Sequence, residues 1–254
     1  MKNIRNLYRK FKRVAQSEKD LDGVLNVLGS LSTVTNDYFL YDYVNISNYN
    51  ASSPLVIFLA SRRICNVVEE YGTDVVGLDA TFNVTIYDFA LFAIMGRSNG
   101  GALPFGYFIA SHKSELAVSV GLLMYKNAMQ NILVEKYPNA STATLSFSPR
   151  SICIDKDDAE LKAIRTVFPH AVVILCHYHF MCIVIDEARS LKYGFSESAL
   201  KSLMDIMRKT AGATTCEQFK ICLQQIRSTS EIFYEYFDKC FLNVRWITTF
   251  SELN

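Results

Sequence analysis

Two short apolar runs in this sequence each end on a carboxylate. Val75-Val76-Gly77-Leu78 leads into Asp79, and Ile152-Cys153-Ile154 leads into Asp155. One such Asp is explained well enough by a strand-to-turn junction, where Asp accepts backbone hydrogen bonds. A buried lone carboxylate, in contrast, is costly unless it is paired or binds a metal. Two strands that lie side by side and both end on Asp can share divalent cations, the arrangement used in two-metal phosphoryl transfer.

This interpretation makes two physical predictions about Asp79 and Asp155. They should occupy adjacent strands on one face of a sheet, with their carboxylates about 4–7 Å apart, the span that two bridged ions allow. Because like charges repel, the pKa of at least one carboxylate should be raised when no metal is bound. Carboxylates together with substrate phosphates are the usual ligands of Mg²⁺.

A second group of chemically capable residues follows the apolar run Ala171–Leu175. The sequence there is Cys176-His177-Tyr178-His179. Cys-x-x-His can chelate Zn²⁺, but a closed zinc site needs four ligands, which Cys153 and Cys182 complete only if the fold brings them close. In the alternative interpretation, Cys176 is a buried thiol at the end of a strand and His179 is a polar neighbour of the acids.

The composition restricts the class of protein. The chain has 254 residues, half of them hydrophobic, which suffices for one large domain or two small ones. A net charge of +1 is not the strongly basic balance of a dedicated nucleic-acid binder. Contact with DNA would therefore need local patches, such as the basic cluster in residues 2–13, which could equally be the solvated face of a helix.

Membrane and secretory signals are missing from the sequence. No apolar run of about 18 residues indicates a membrane span, and the first residues lack the apolar core of a signal peptide. The seven cysteines are scattered, which predicts reduced thiols in an intracellular protein.

Apolar periodicity predicts the elements that would position these residues. An aromatic strand is expected near residues 37–43 and a helix over residues 54–71. Strands at residues 89–95 and 104–110 should form an antiparallel meander with the Asp79 strand. A helix over Ser114–Lys136 follows, with a buried stripe predicted at Leu116, Val120, Leu123, Ala128 and Ile132.

The remaining elements define the predicted fold class. Asp157-x-x-Glu160 is typical of a capping box at the start of a helix, and residues 171–175 read as a buried parallel strand. The order of three strands, helix, strand, helix, strand predicts an α/β fold with an RNase H-like mixed five-stranded sheet flanked by helices. We expect three regions: a mostly helical flank (1–70), the core (71–182) and an all-helical C-terminal insertion or appendage (183–254).

The ordered set of motifs resembles a known family. Asp79-x-Thr81, the segment from Asp155 to Ile164, Phe168-Pro169-x-Ala171 and Cys176-x-x-His179 are together similar to the core of Mutator-like element (MULE) transposases. The resemblance implies a DDE-type catalytic domain in which Asp79 and Asp155 bind two Mg²⁺ or Mn²⁺ ions for cleavage and transfer of DNA strands at transposon ends. It also implies DNA as the partner and the nucleus as the location. Cys176 and His179 match the family's Cys/His signature, with Zn²⁺ as a candidate ion.

The sequence departs from the family pattern in two places. No zinc-finger-like region precedes the core, and the third acid, a Glu beyond a Trp, has only Glu252 as a candidate after Trp246. Glu231, Glu235 and Asp238 are alternatives that fit the helical appendage better. We therefore expect a truncated transposase core that lacks the third acid and is inactive as a 254-residue chain. A non-catalytic DNA-associated or protein-interaction module derived from a transposase is the alternative, and an RNase H-like nuclease acting on other nucleic acids is a third.

Overall fold

Seven β-strands form one mixed sheet in the computed structural model, which describes residues 39–44, 49–61, 67, 72–82, 88–99, 101–139 and 146–242. The strands are β1 (Phe39–Val44), β2 (Val56–Ser61), β3 (Val75–Thr81), β4 (Ala90–Ser98), β5 (Gly101–Ala110), β6 (Ser151–Ile154) and β7 (Val172–Leu175). Their order across the sheet is β1-β2-β5-β4-β3-β6-β7. Among these described strands, the β3–β6 and β6–β7 pairings are parallel and the other pairings are antiparallel.

The antiparallel meander predicted from the sequence is confirmed. Strands β3, β4 and β5 pair in succession, and the parallel strands β6 and β7 extend the sheet beyond β3. Successive side chains of a strand point to opposite faces. In β3, Val76 and Leu78 are therefore buried on one face, whereas Gly77 and Asp79 lie on the other.

The prediction of a helix over residues 54–71 is wrong for residues 54–61, the continuous part of this range that the structure describes. Val56–Ser61 is strand β2, which pairs with β5 and with β1. The cause is burial on both faces: Val56, Ile57 and Phe58 are all buried, so the apolar run has no period of two that would mark a strand. The aromatic strand is confirmed as β1, and the sheet has two strands more than the five predicted.

Helices cover the sheet face that carries Val76 and Leu78. They are α1 (Glu115–Lys136), capped by Ser114 Oγ, and α2 (Asp158–Val167), which together with β3, β4 and β6 enclose one hydrophobic core. The stripe predicted for α1 is partly wrong, since Leu116 and Leu123 are 46% and 48% exposed. Apolar residues lie on several sides of this helix, so their spacing alone does not identify the buried side. Gly121 lies on the side that packs against the sheet, where a Cβ would lie 2.4 Å from the Phe108 ring.

A pair of neighbouring leucines tests which side of α1 is buried. Leu122 is 2% exposed, so Leu122→Ala should lower the free energy of unfolding by about 2–5 kcal/mol through lost burial and a residual cavity. Leu123→Ala removes the same atoms from a half-exposed position and should cost less than about 1 kcal/mol. Urea denaturation of the two variants measures the difference, and equal losses would contradict the described packing.

The C-terminal part of the described chain is helical, as predicted. After α3 (His177–Ala188) come a 3₁₀ turn (Leu191–Tyr193), α4 (Glu197–Ala211), α5 (Cys216–Thr229), α6 (Glu231–Phe237) and a π-helical turn (Asp238–Leu242). Helix α3 begins before the predicted start at Ile183, because Phe180 and Val184 already pack into the core of this helical region. None of the described helices has the length and apolar composition needed to cross a membrane.

Candidate metal centre at the ends of β3, β6 and β7

Parallel pairing between β3 and β6 brings Asp79 and Asp155 side by side. Gly77 is paired with Cys153, and Asp79 and Asp155 each follow two residues later on their own chains. Alternation along the chain puts both on the face opposite α1 and α2, and neighbouring strands lie about 4.8 Å apart. Adjacency on one face thus agrees with the sequence-based prediction, whereas the carboxylate separation of about 4–7 Å stays a prediction.

Asp79 differs from the prediction in its local setting. We expected it at the end of a buried strand, but β3 continues through Thr81 because β4 pairs with it as far as Leu91. The Asp79 side chain is exposed. Its carboxylate is therefore open to solvent and to ligands on the uncovered side of the strand.

The pKa of Asp155 is raised above its usual range. Burial is the largest cause, the electrostatic interaction with His179 opposes it, and the negative charge of Asp79 raises the pKa further. The predicted rise is confirmed in direction, but desolvation contributes more than the repulsion between the two carboxylates. The negative charge of Asp79 acts on Asp155 because the two residues lie close together.

Strand β7 and helix α3 bring Cys176 and His179 to the same point. Ile154 is paired with Leu175, and the Cys176 N–H donates to the Ile154 carbonyl at 2.7 Å, so Cys176 lies beside Asp155. Cys176 is also the N-cap of α3, and one turn later His179 Nδ1 contacts Asp155 Oδ1. Ligand atoms of Asp155, Cys176 and His179 all lie within 4.8 Å of one another, and the described residues contain no other such group of three His, Cys, Asp or Glu.

The two cysteines considered as additional ligands are placed differently. Cys153 is close to Cys176: burial first, then Cys176 and Asp155, together raise the pKa of its thiol to about 11. Cys182 instead interacts with Tyr178 on the exposed side of α3. The described cysteines are free thiols, in agreement with the sequence analysis.

The sequence of this region matches a known domain. Residues 75–183 fit the family model of the MULE transposase domain. This segment is a MULE transposase domain. The matched range begins with β3 and ends inside α3, so it contains Asp79, Asp155, Cys176 and His179. A search of curated proteins found no match.

The transposase domain contains a buried carboxyl group beside a lysine that sequence reasoning missed. Glu160 is fully buried in α2, with Lys113 Nζ 3.6 Å from its Oε1 and 3.0 Å from Asp157 Oδ2. Burial raises the pKa of Glu160 to about 8, although Lys113 opposes the rise. The sequence pattern indicated only a helix cap at this position. Asp157 Oδ1 does accept a hydrogen bond from the Glu160 N–H at 2.9 Å, but the Glu160 carboxylate makes no hydrogen bond back to the start of the helix.

The helical region reaches the loop that holds Asp155. Lys156 Nζ lies 4.6 Å from the centroid of the Phe241 ring, in the π-helical turn that ends the described chain. Glu231, an alternative third acid, pairs with Arg227 at the surface. Glu252 lies outside the described residues, as does Trp246. Within the described residues, no third carboxylate forms a metal-binding group with Asp79 and Asp155.

Proposed function

We propose that the MULE transposase domain cleaves and transfers DNA strands with a divalent-metal site built on Asp79 and Asp155. The observation that carries this proposal is the β3–β6 register, in which Asp79 and Asp155 each follow the paired Gly77 and Cys153 by two residues and so belong to the same face of the sheet. The strand order β5-β4-β3-β6-β7, three antiparallel strands followed by two parallel ones, supports an RNase H-like arrangement.

The donor set fits Mg²⁺ or Mn²⁺. These ions prefer oxygen ligands and are commonly held by one or two carboxylates plus substrate phosphates. Asp79 is exposed, so an ion and a substrate phosphate can reach its carboxylate from solvent. Asp155 is partly buried, so its carboxylate is held in position by its neighbours. Bound ions would supply activation of the attacking oxygen and stabilisation of the leaving oxygen in phosphoryl transfer.

The protein's own groups fix the charge and position of Asp155. His179 contacts one carboxylate oxygen, and the Asp155 carbonyl accepts from the Asp157 N–H at 2.8 Å, which sets the turn after β6. Lys113 contacts Asp157 and Glu160, and its positive charge also lowers the pKa of Asp155. We assign the third acid to residues outside the described ranges, with Glu252 as the candidate.

Strand cleavage tests this function directly. The substrate is duplex DNA that carries the sequences flanking the gene, incubated with the protein and Mn²⁺. Metal-dependent nicking that is lost in Asp155→Asn and kept in Asp158→Asn, whose carboxylate is exposed on α2, would support the proposal and would contradict the expectation from the sequence that the 254-residue chain is inactive. Nicking that is unchanged in Asp155→Asn would overturn the proposal, and Glu252→Gln tests the third acid in the same assay.

A non-catalytic module is the second candidate. It is favoured by the described residues, which bring no third carboxylate to Asp79 and Asp155. In that case the protein would retain DNA in a binding assay but leave it intact at every Mn²⁺ concentration. As a transposase-derived DNA-associated protein it would share the nuclear location that we propose for the enzyme.

A further inference from the structure

We propose that Asp155, Cys176 and His179 form a site for a soft transition-metal ion of the Zn²⁺ class, and that this ion competes with the hard ion held through Asp79. The second part rests on the proposed function, because Asp155 is the residue that both sites share. Neither the family match nor the Cys-x-x-His spacing identifies Asp155 as a third ligand. That assignment comes from the spatial arrangement alone.

Three backbone features bring the ligands together. The β6–β7 ladder places Cys176 beside Asp155, and the first turn of α3 returns His179 to the same side. The ligand atoms lie within 4.8 Å of one another. Around tetrahedral zinc, with bonds of about 2.0–2.3 Å, donor atoms lie roughly 3.3–3.8 Å apart. Side-chain movements of about 1 Å would therefore complete the site.

The ligand chemistry favours a soft ion. Thiolate and imidazole ligands select zinc and similar metals, whereas Mg²⁺ binds oxygen. Three protein ligands leave one position open, which differs from the four protein ligands of a closed structural zinc site. The side chains of His179 and Asp155 are 34% and 26% exposed, so an ion can reach them from solvent.

The two ions compete because both sites use the Asp155 carboxylate. An ion held by Cys176 and His179 draws the Asp155 carboxylate toward β7 and α3, away from Asp79 on β3. The hard-ion site then loses one of the two carboxylates proposed for it, and its affinity for the ion falls. Zinc should accordingly raise the Mn²⁺ concentration needed for half-maximal stabilisation of the protein.

Cobalt spectroscopy tests the site without any activity assay. The full chain is titrated with Co²⁺, and a thiolate-to-cobalt charge-transfer band in the near ultraviolet reports a Cys ligand. We expect the band in the wild type and in Cys182→Ser, the matched thiol on α3, but not in Cys176→Ser. His179→Gln should weaken Co²⁺ and Zn²⁺ binding by at least about 100-fold, since even residues that only hydrogen-bond to a metal ligand change metal affinity by about 10–100-fold.

Asp79→Asn separates this inference from the proposed function. This variant should keep the cobalt band and lose the response to Mn²⁺. A band that survives Cys176→Ser, or binding unaffected by His179→Gln, would overturn the soft-ion site whatever Mn²⁺ does. A Cys176-dependent band in a protein that never responds to Mn²⁺ would support the site and contradict the proposed function. Zinc that leaves the Mn²⁺ response unchanged would overturn the competition.

Discussion

Asp79→Asn should abolish the rise in melting temperature that Mn²⁺ gives to the wild-type protein. An ion that binds only the folded state at 100 times its dissociation constant stabilises that state by about 2.7 kcal/mol. For a chain of this size, the gain corresponds to a shift of roughly 5–10 °C. The Asn side chain keeps the shape of Asp79 but removes the negative charge that the ion requires.

The melting temperature of Asp79→Asn without metal serves as a control for the effect of the substitution itself. Removing Asp79 relieves a repulsion that raises the pKa of Asp155, so the melting temperature with chelator present should stay the same or increase. Asp158→Asn should retain the full Mn²⁺ response, since Asp158 lies exposed on α2. A full response in Asp79→Asn would mean that the ion binds elsewhere.

Glu160→Gln should remove a large pH dependence of stability. The pKa of Glu160 is raised from 4.5 to about 8 in the folded protein, so the folded state holds the proton more tightly than the unfolded chain does. Stability from this group is fully present below about pH 4.5 and is lost as the pH rises toward 8, with a slope of up to about 1.4 kcal/mol per pH unit. The Gln variant has no proton to lose and should lack this slope.

The measurement compares free energies of unfolding of the wild type and the Glu160→Gln variant from pH 4.5 to pH 9, with chelator present. The difference between the two proteins should change by a few kcal/mol across this window, to the advantage of Gln at high pH. Asp158→Asn, on the exposed side of the same helix, should follow the wild type. Parallel curves for the wild type and Glu160→Gln would show that Glu160 ionises at its ordinary pKa.

The sequence predicted the parts of the fold that depend on local patterns. Turn residues and short apolar runs identified the β3–β4–β5 meander, and Pro and capping residues bounded α1 and α2. The prediction failed where an element is apolar on more than one side. Strand β2 is buried on both faces, and α1 presents leucines to solvent as well as to the sheet. In both cases the neighbouring element, not the element's own periodicity, determines which side is buried.

The candidate site was only half predictable for a related reason. That Asp79 and Asp155 each follow an apolar run is visible in the sequence, but strand register decides whether they meet. The contact of His179 with Asp155 depends on the β6–β7 pairing and on the start of α3 at His177. The pairing of Lys113 with Glu160 joins residues far apart in the chain, and no local pattern predicts it.

Anomalous diffraction from crystals grown with Mn²⁺ tests most directly whether Asp79 and Asp155 hold a divalent ion together. We predict a manganese peak within about 2.0–2.6 Å of carboxylate oxygens from both residues, the range of oxygen coordination distances for hard divalent ions. The peak should be missing in crystals of Asp79→Asn. A peak bound by Asp155, Cys176 and His179 without Asp79, or none on this face of the sheet at saturating Mn²⁺, would contradict the account.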